Sequence, residues 1–272
     1  MDNKLLGIIM AVVLVSGCSQ LPSGSEDTTS EDPQQISGKG LEVEEFSVSD
    51  KTLSPGQTIT VDLKLKNYHR EDIQIGNIAL YNLGLLESSD KSCVPKQIDP
   101  AENGVYPVME CSWRITAPSE DQIGGFEQRQ STISVNIPYE SAIRNYQPMT
   151  IKFRPLEQIS RTDKQATSFS NGEVGVEMEV ETPVPLKQKK NINFKVSKQG
   201  SGSIDGSYDF EYTPSNIFEG CPESDEPIIR DSLEFSCNIE STSSQEVERN
   251  LFFTAHYKYN KAPNTDITLV NK

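Results

Sequence analysis

The chain has 272 residues, 35% hydrophobic and 24% charged, with 25 Lys and Arg against 40 Asp and Glu for a net charge of −15. No stretch is strongly basic, which excludes sequence-independent nucleic-acid binding, because that depends on neutralising phosphates with Lys and Arg. The length allows one large or two ordinary domains, and acidity spread over both halves chiefly keeps such a protein soluble and unsticky.

The first element is a leader. Lys4 is followed by an apolar run from Leu5 to Val15, and the run closes on Val15-Ser16-Gly17-Cys18. A charged start, a short apolar core and small residues at a cut describe a secretory signal peptide. The run is too short for a membrane span, which needs roughly 17–25 apolar residues. Small residues followed directly by cysteine resemble a lipobox, the site at which prokaryotic lipoproteins are cleaved and lipidated. The resemblance implies a signal peptide over 1–17, lipidation of Cys18 and attachment to the extracytoplasmic side of the cell membrane. Residues 18–40 are rich in Ser, Thr, Gly, Pro, Gln and acidic residues and almost devoid of apolar ones. Such a segment cannot bury enough surface to offset its ordering entropy, and it reads as a flexible acidic tether.

Strands follow. Leu41 to Val48 leads into the turn signal Ser54-Pro55-Gly56, and Ile59, Val61, Leu63 and Leu65 then alternate with polar residues as one face of a strand. The stretch from Leu41 through Asn67 resembles the first two strands of CARDB-type adhesion modules, immunoglobulin-like sandwiches of archaeal and bacterial surfaces. Downstream, Met109, Cys111, Trp113 and Ile115 share a face, followed by Ile133 to Tyr139 and by Met149 to Phe153.

A second half repeats the plan. Val174, Val176, Met178 and Val180 alternate, then Ile192, Phe194 and Val196, then Leu233, Phe235, Cys237 and Ile239, then Leu251 to Tyr259. Aligning Gln57 with Gln188 superposes Val61–Leu65 on Ile192–Val196, the mark of an internal duplication. Short strands separated by turn signals, with no long amphipathic helix, predict an all-β chain of two tandem immunoglobulin-like β-sandwich domains after the signal peptide and tether. The expected boundaries are 41–153 and 173–272, joined by a linker over 154–172 across which the domains move.

Five cysteines are present. With Cys18 assigned to lipid, the other four allow three pairings. Cys93 and Cys111 are close in sequence, as are Cys221 and Cys237, and an oxidising compartment favours these two local disulfides. Each closes a loop worth about 3 kcal/mol in the chain-entropy model. The spacing lacks the close pairs of a zinc site and the C-x-x-C of a redox site.

Catalytic signals are missing from the sequence. His69 lies in the polar stretch Asn67 to Asp72 and His256 on the outward register of a strand, so both are expected to be solvated. Gly200 to Gly206 lacks the Lys-Ser/Thr ending of a phosphate loop and reads as a hairpin connection. Asp205 with Asp209, and Glu223, Asp225 and Glu226, do not follow a calcium-loop pattern. Lys187, Lys189 and Lys190 suit an edge or loop that discourages sheet association, and Trp113, Tyr139, Tyr257 and Tyr259 fall on inward registers. The expectation is a non-catalytic protein without metal or cofactor, held to the membrane through lipid on Cys18. It would bind a protein or glycan partner at the cell surface as a binding, adhesion or scaffolding module. The alternative is an accessory lipoprotein of an envelope secretion, transport or filament assembly.

Overall fold

The computed structural model describes residues 39–89, 91–123, 125, 127–222, 226–227 and 231–271. Cys18, the signal peptide and nearly all of the expected tether lie outside them, as do Glu223 and Asp225. Lys39 and Gly40, expected as the end of the tether, belong to the folded body: Lys39 pairs with Glu42, and the Gly40 carbonyl accepts from the Tyr68 N–H.

The first half contributes β1 (Leu41–Val48), β2 (Thr52–Leu53), β3 (Thr58–Asn67), β4 (Gln74–Ile75), β5 (Ala79–Tyr81), β6 (Glu87–Ser88), β7 (Ser92–Val94), β8 (Val108–Thr116), a helical turn at Glu120–Ile123, β9 (Gln128–Arg144) and β10 (Met149–Arg154). The second contributes β11 (Asp163–Ser170), β12 (Val174–Thr182), β13 (Val184–Pro185), β14 (Lys190–Lys198), β15 (Ser203–Thr213), β16 (Phe218–Glu219), β17 (Glu226–Pro227), β18 (Ser232–Ile239), β19 (Val247–Lys261) and β20 (Asn264–Val270). The all-β expectation holds, and the alternating stretches are strands with their apolar residues inward. Ile59, Val61, Leu63 and Leu65 are buried along β3, and Ile192, Phe194 and Val196 along β14.

The duplication shows in the pairing. In the first half β1-β3-β8 form an antiparallel sheet with β6 and β7 on β8; in the second, β12-β14-β18 repeat it with β16 on β18. Opposite each lies a layer built on a long strand, β9 or β19, as in an immunoglobulin-like sandwich. Cys93 faces Cys111 across the β7–β8 ladder, with sulfurs 2.07 Å apart. Cys221, just past β16, reaches Cys237 on β18, with sulfurs 2.27 Å apart. Both bridges therefore staple an edge to the equivalent strand within one sheet.

The last strand of each half is exchanged. β10, which follows β9, pairs with β19 of the second half, and β20, which follows β19, pairs with β9 of the first. The parallel edge strands agree: β2 lies beside β20, and β13 beside β10. A strand at this point would normally fold back as a hairpin, which needs residues able to take positive φ. The two junctions, Asn145-Tyr146-Gln147-Pro148 and Ala262-Pro263, contain no glycine, and proline biases the preceding residue toward extended backbone. The chain therefore runs straight on. Where β9 steps into β10, Asn145 patches the ladder: its side chain accepts from Phe253 N–H at 2.6 Å and donates to the Leu251 carbonyl at 3.0 Å.

This arrangement corrects the expected domain division. β9 also pairs directly with β19, so both halves enter one ten-stranded sheet ordered β13-β10-β19-β9-β20-β2. One buried apolar cluster runs through residues 41 to 269, and the described residues of both halves fall in one compact unit. The expected 154–172 linker holds a short 3-10 turn at Leu156–Gln158 and the strand β11, which adds to the edge of β12. Its weak apolar content reflects an edge position rather than freedom. β9 and β19 are 17 and 15 residues long, far above the usual five or six, because each pairs along its length with strands of both halves.

Candidate functional site

The exchanged halves meet around a buried carboxylate. Glu173 sits at the tip of the β11–β12 hairpin, shaped by Asn171, whose side-chain oxygen accepts from the N–H groups of Glu173 and Val174 at 3.2 and 3.0 Å. The tip projects into the first half. There Oε1 accepts the Leu41 N–H at 2.8 Å and the Tyr139 hydroxyl, and Oε2 accepts the Tyr257 hydroxyl at 3.2 Å. The Lys261 ammonium lies 3.6 Å from Oε1. Nε2 of His69 lies 3.0 Å from Oε2. The His69 ring is held from behind by Ser141 Oγ, 3.3 Å from Nδ1.

Gly40 has to be glycine here. Its φ is +63°, and a Cβ would fall 2.2 Å from the Glu173 carboxylate. The chain entering β1 thus passes directly over the carboxylate and donates its next N–H to it.

Electrostatics follow from closure. Burial pushes the Glu173 carboxyl up, but its contacts with His69, the Lys261 ammonium and the Tyr139 hydroxyl outweigh that, leaving the carboxyl below its usual range. Burial, reinforced by the neighbouring Glu173 charge, drives the Tyr139 and Tyr257 phenols well above their ordinary value and takes Tyr259 to about 12. The signs give a pH profile. A lowered carboxyl contributes stability that is present above its ordinary 4.5 and lost as pH falls below it. Raised phenols contribute stability that is present below their ordinary 10 and lost as pH rises through it. Denaturant midpoints should therefore fall as the pH drops below about 4.5 and as it rises above about 10. An unchanged midpoint between about pH 9 and 11 would contradict the assignment of the buried phenols.

Chemically, this arrangement is a clasp. The side chains of Glu173 and His69 are each 1% exposed, so a substrate cannot reach them. His69 corrects the expectation of a solvated histidine. The polar stretch after β3 is turned inward by Asn67, whose side chain accepts from the His69 N–H and donates to the Asp99 carbonyl at 2.8 Å. An Asn two residues before a His was the available signal, since Asx side chains bond the backbone two residues on. His256 is exposed on β19, 3.2 Å from Glu211. Tyr139, Tyr257, Tyr259 and Trp113 are buried, but the first two also carry the clasp through their hydroxyls.

Other sequence candidates scatter. Lys189 pairs with Glu219 at 2.6 Å and Lys190 with Glu181, while Lys187 turns with φ +59° between β13 and β14. Asp205 and Asp209 lie on β15, on either side of Gly206. Among the described residues no group of three or more His, Cys, Asp and Glu could hold a metal ion. A cleft of about 400 Å³ opens on the outer face of the common sheet between Gln74, Asn136, Glu140, Asp205, Lys258 and Asn260.

No protein-family model and no curated protein matches the chain. Among solved structures, collagen adhesin from S. aureus matches at a TM-score of 0.20 and 10% identity, over 84% of this chain and 92% of that one. A superposition that loose carries no inference about fold or function.

Proposed function

We propose that this chain is an extracytoplasmic lipoprotein, held to the cell membrane by lipid on Cys18, whose β-sandwich body is a non-catalytic binding or scaffolding module for a protein or glycan partner. The observation that carries the reading is Val15-Ser16-Gly17-Cys18 at the end of the short apolar run. What supports a binding role is the use made of the buried ionisable groups. Glu173, His69 and Lys261 are drawn together where the halves meet, and the outward registers of the sheets carry polar and charged side chains. Two disulfide-distance cysteine pairs suit an oxidising compartment.

The anchor is directly testable. A single acyl chain holds a protein at a membrane only marginally, so stable attachment requires a multi-chain modification at Cys18. The Cys18→Ser variant is expected to move from the membrane fraction to the soluble fraction or to accumulate as unprocessed precursor. A variant that sediments with membranes as firmly as the parent would exclude the lipid anchor.

A further inference from the structure

A sheet edge presents a row of unpaired N–H and C=O groups, and proteins blunt such edges with short strands, bulges, proline or charge. Most edges of this molecule are blunted in one of these ways. β2, β4, β6, β13, β16 and β17 have two residues each, and β13 and β17 end in proline. β1 is bulged between Val43 and Glu45 and carries Glu42, Glu44 and Glu45. β15 has a register break between Ile204 and Tyr208 and carries Asp209 and Glu211.

β11 is built differently. It pairs with β12 through eight consecutive residues without a bulge, and its stretch from Gln165 to Ser170 contains neither charge nor proline. Among the described residues no strand pairs with its outer edge. The hydrogen bond from Asn171 N–H to the Val174 carbonyl sets the alternation of the ladder. Odd-numbered residues point their backbone groups at β12, and Lys164, Ala166, Ser168 and Ser170 point theirs outward.

From this edge we infer that β11 is a self-pairing site, at which two copies of this chain join antiparallel, β11 to β11, about a two-fold axis at Thr167. This register uses all four outward-facing residues. Lys164 stands opposite Ser170 and Ala166 opposite Ser168, each as a hydrogen-bonded pair. Thr167 meets its own copy on the axis, a favourable cross-strand pair, and Gln165 lies opposite Phe169. No charge faces a like charge: Asp163 comes opposite Asn171. The product is a continuous sheet of two five-stranded halves, in the manner of strand addition, where main-chain hydrogen bonds supply the affinity.

The register dictates the test. Thr167 forms a non-hydrogen-bonded pair with its copy, with Cα atoms about 4.5 Å apart, inside the range a disulfide bridges. In the full chain, Thr167→Cys should oxidise to a species of twice the chain mass on a non-reducing gel, and Ser47→Cys on the bulged β1 edge should not. Adding Ala166→Pro should abolish the dimer, because a proline there removes an outward N–H and leaves the β12 ladder intact. Ala166→Lys, which perturbs the strand less, should do the same. Self-pairing is overturned if Thr167→Cys stays monomeric, if both cysteine variants cross-link alike, or if the cross-linked band contains a different protein, which would assign the edge to a foreign strand.

Discussion

Residues 173–272 expressed alone will not fold cooperatively, although they contain every strand of the expected second domain. The fragment lacks β10, whose Met149, Ile151 and Phe153 are buried beside β19 and β13. Burial of each such side chain is worth about 1.5–3 kcal/mol, so the three together contribute about 5–9 kcal/mol, comparable with the whole stability of an ordinary domain. The fragment also strands β20, whose buried Ile267 and Leu269 lie on a strand that pairs with β9 and β2 of the first half. Residues 41–144 should fail for the reciprocal reason, lacking β20. Urea titration followed by far-ultraviolet circular dichroism should give a sigmoidal transition for the chain from residue 39 onward and a gradual drift for either half. A sharp transition in residues 173–272 comparable to that of the whole would show that the strand exchange is dispensable.

Glu173→Ala should cost about 3–5 kcal/mol, the penalty for removing one member of a buried ion pair and leaving the other uncompensated. The substitution strands His69 and Lys261 and takes an acceptor from the Tyr139 and Tyr257 hydroxyls and the Leu41 N–H at once. Glu179→Ala is the matched control. It removes a carboxylate from a solvent-exposed pair with Lys164, and such pairs contribute about 0–1 kcal/mol. Chemical denaturation of the two variants should separate them clearly. A Glu173→Ala cost below about 1 kcal/mol would mean that the clasp is not what holds the hairpin tip in the first half.

The clasp and the exchange belong together. Glu173 gathers groups from β1, β9 and β19 and from the turn after β3, and the β11–β12 hairpin that carries it occupies the stretch where a linker was expected. A linker and an edge hairpin look alike in sequence, since both carry polar and small residues with few apolar ones.

Strand identity was written in the sequence by itself. Alternation at Ile59–Leu65, Val174–Val180 and Ile192–Val196 can bury one face of a strand and no other regular element. The duplicated plan and the two local cysteine pairs were equally legible, because strand spacing and short loops are local properties. Which long strand each final strand joins was decided only by tertiary structure. β10 and β20 are apolar enough to pair with either β9 or β19, and the choice rests on whether the chain turns back or runs on. Pro148 and Pro263, in junctions without glycine, were the visible trace of that choice. The burial of His69 and Glu173 was beyond local reading, since a carboxylate leaves water only when partners distant in sequence converge on it, here 104 residues away at His69 and 84 at Tyr257.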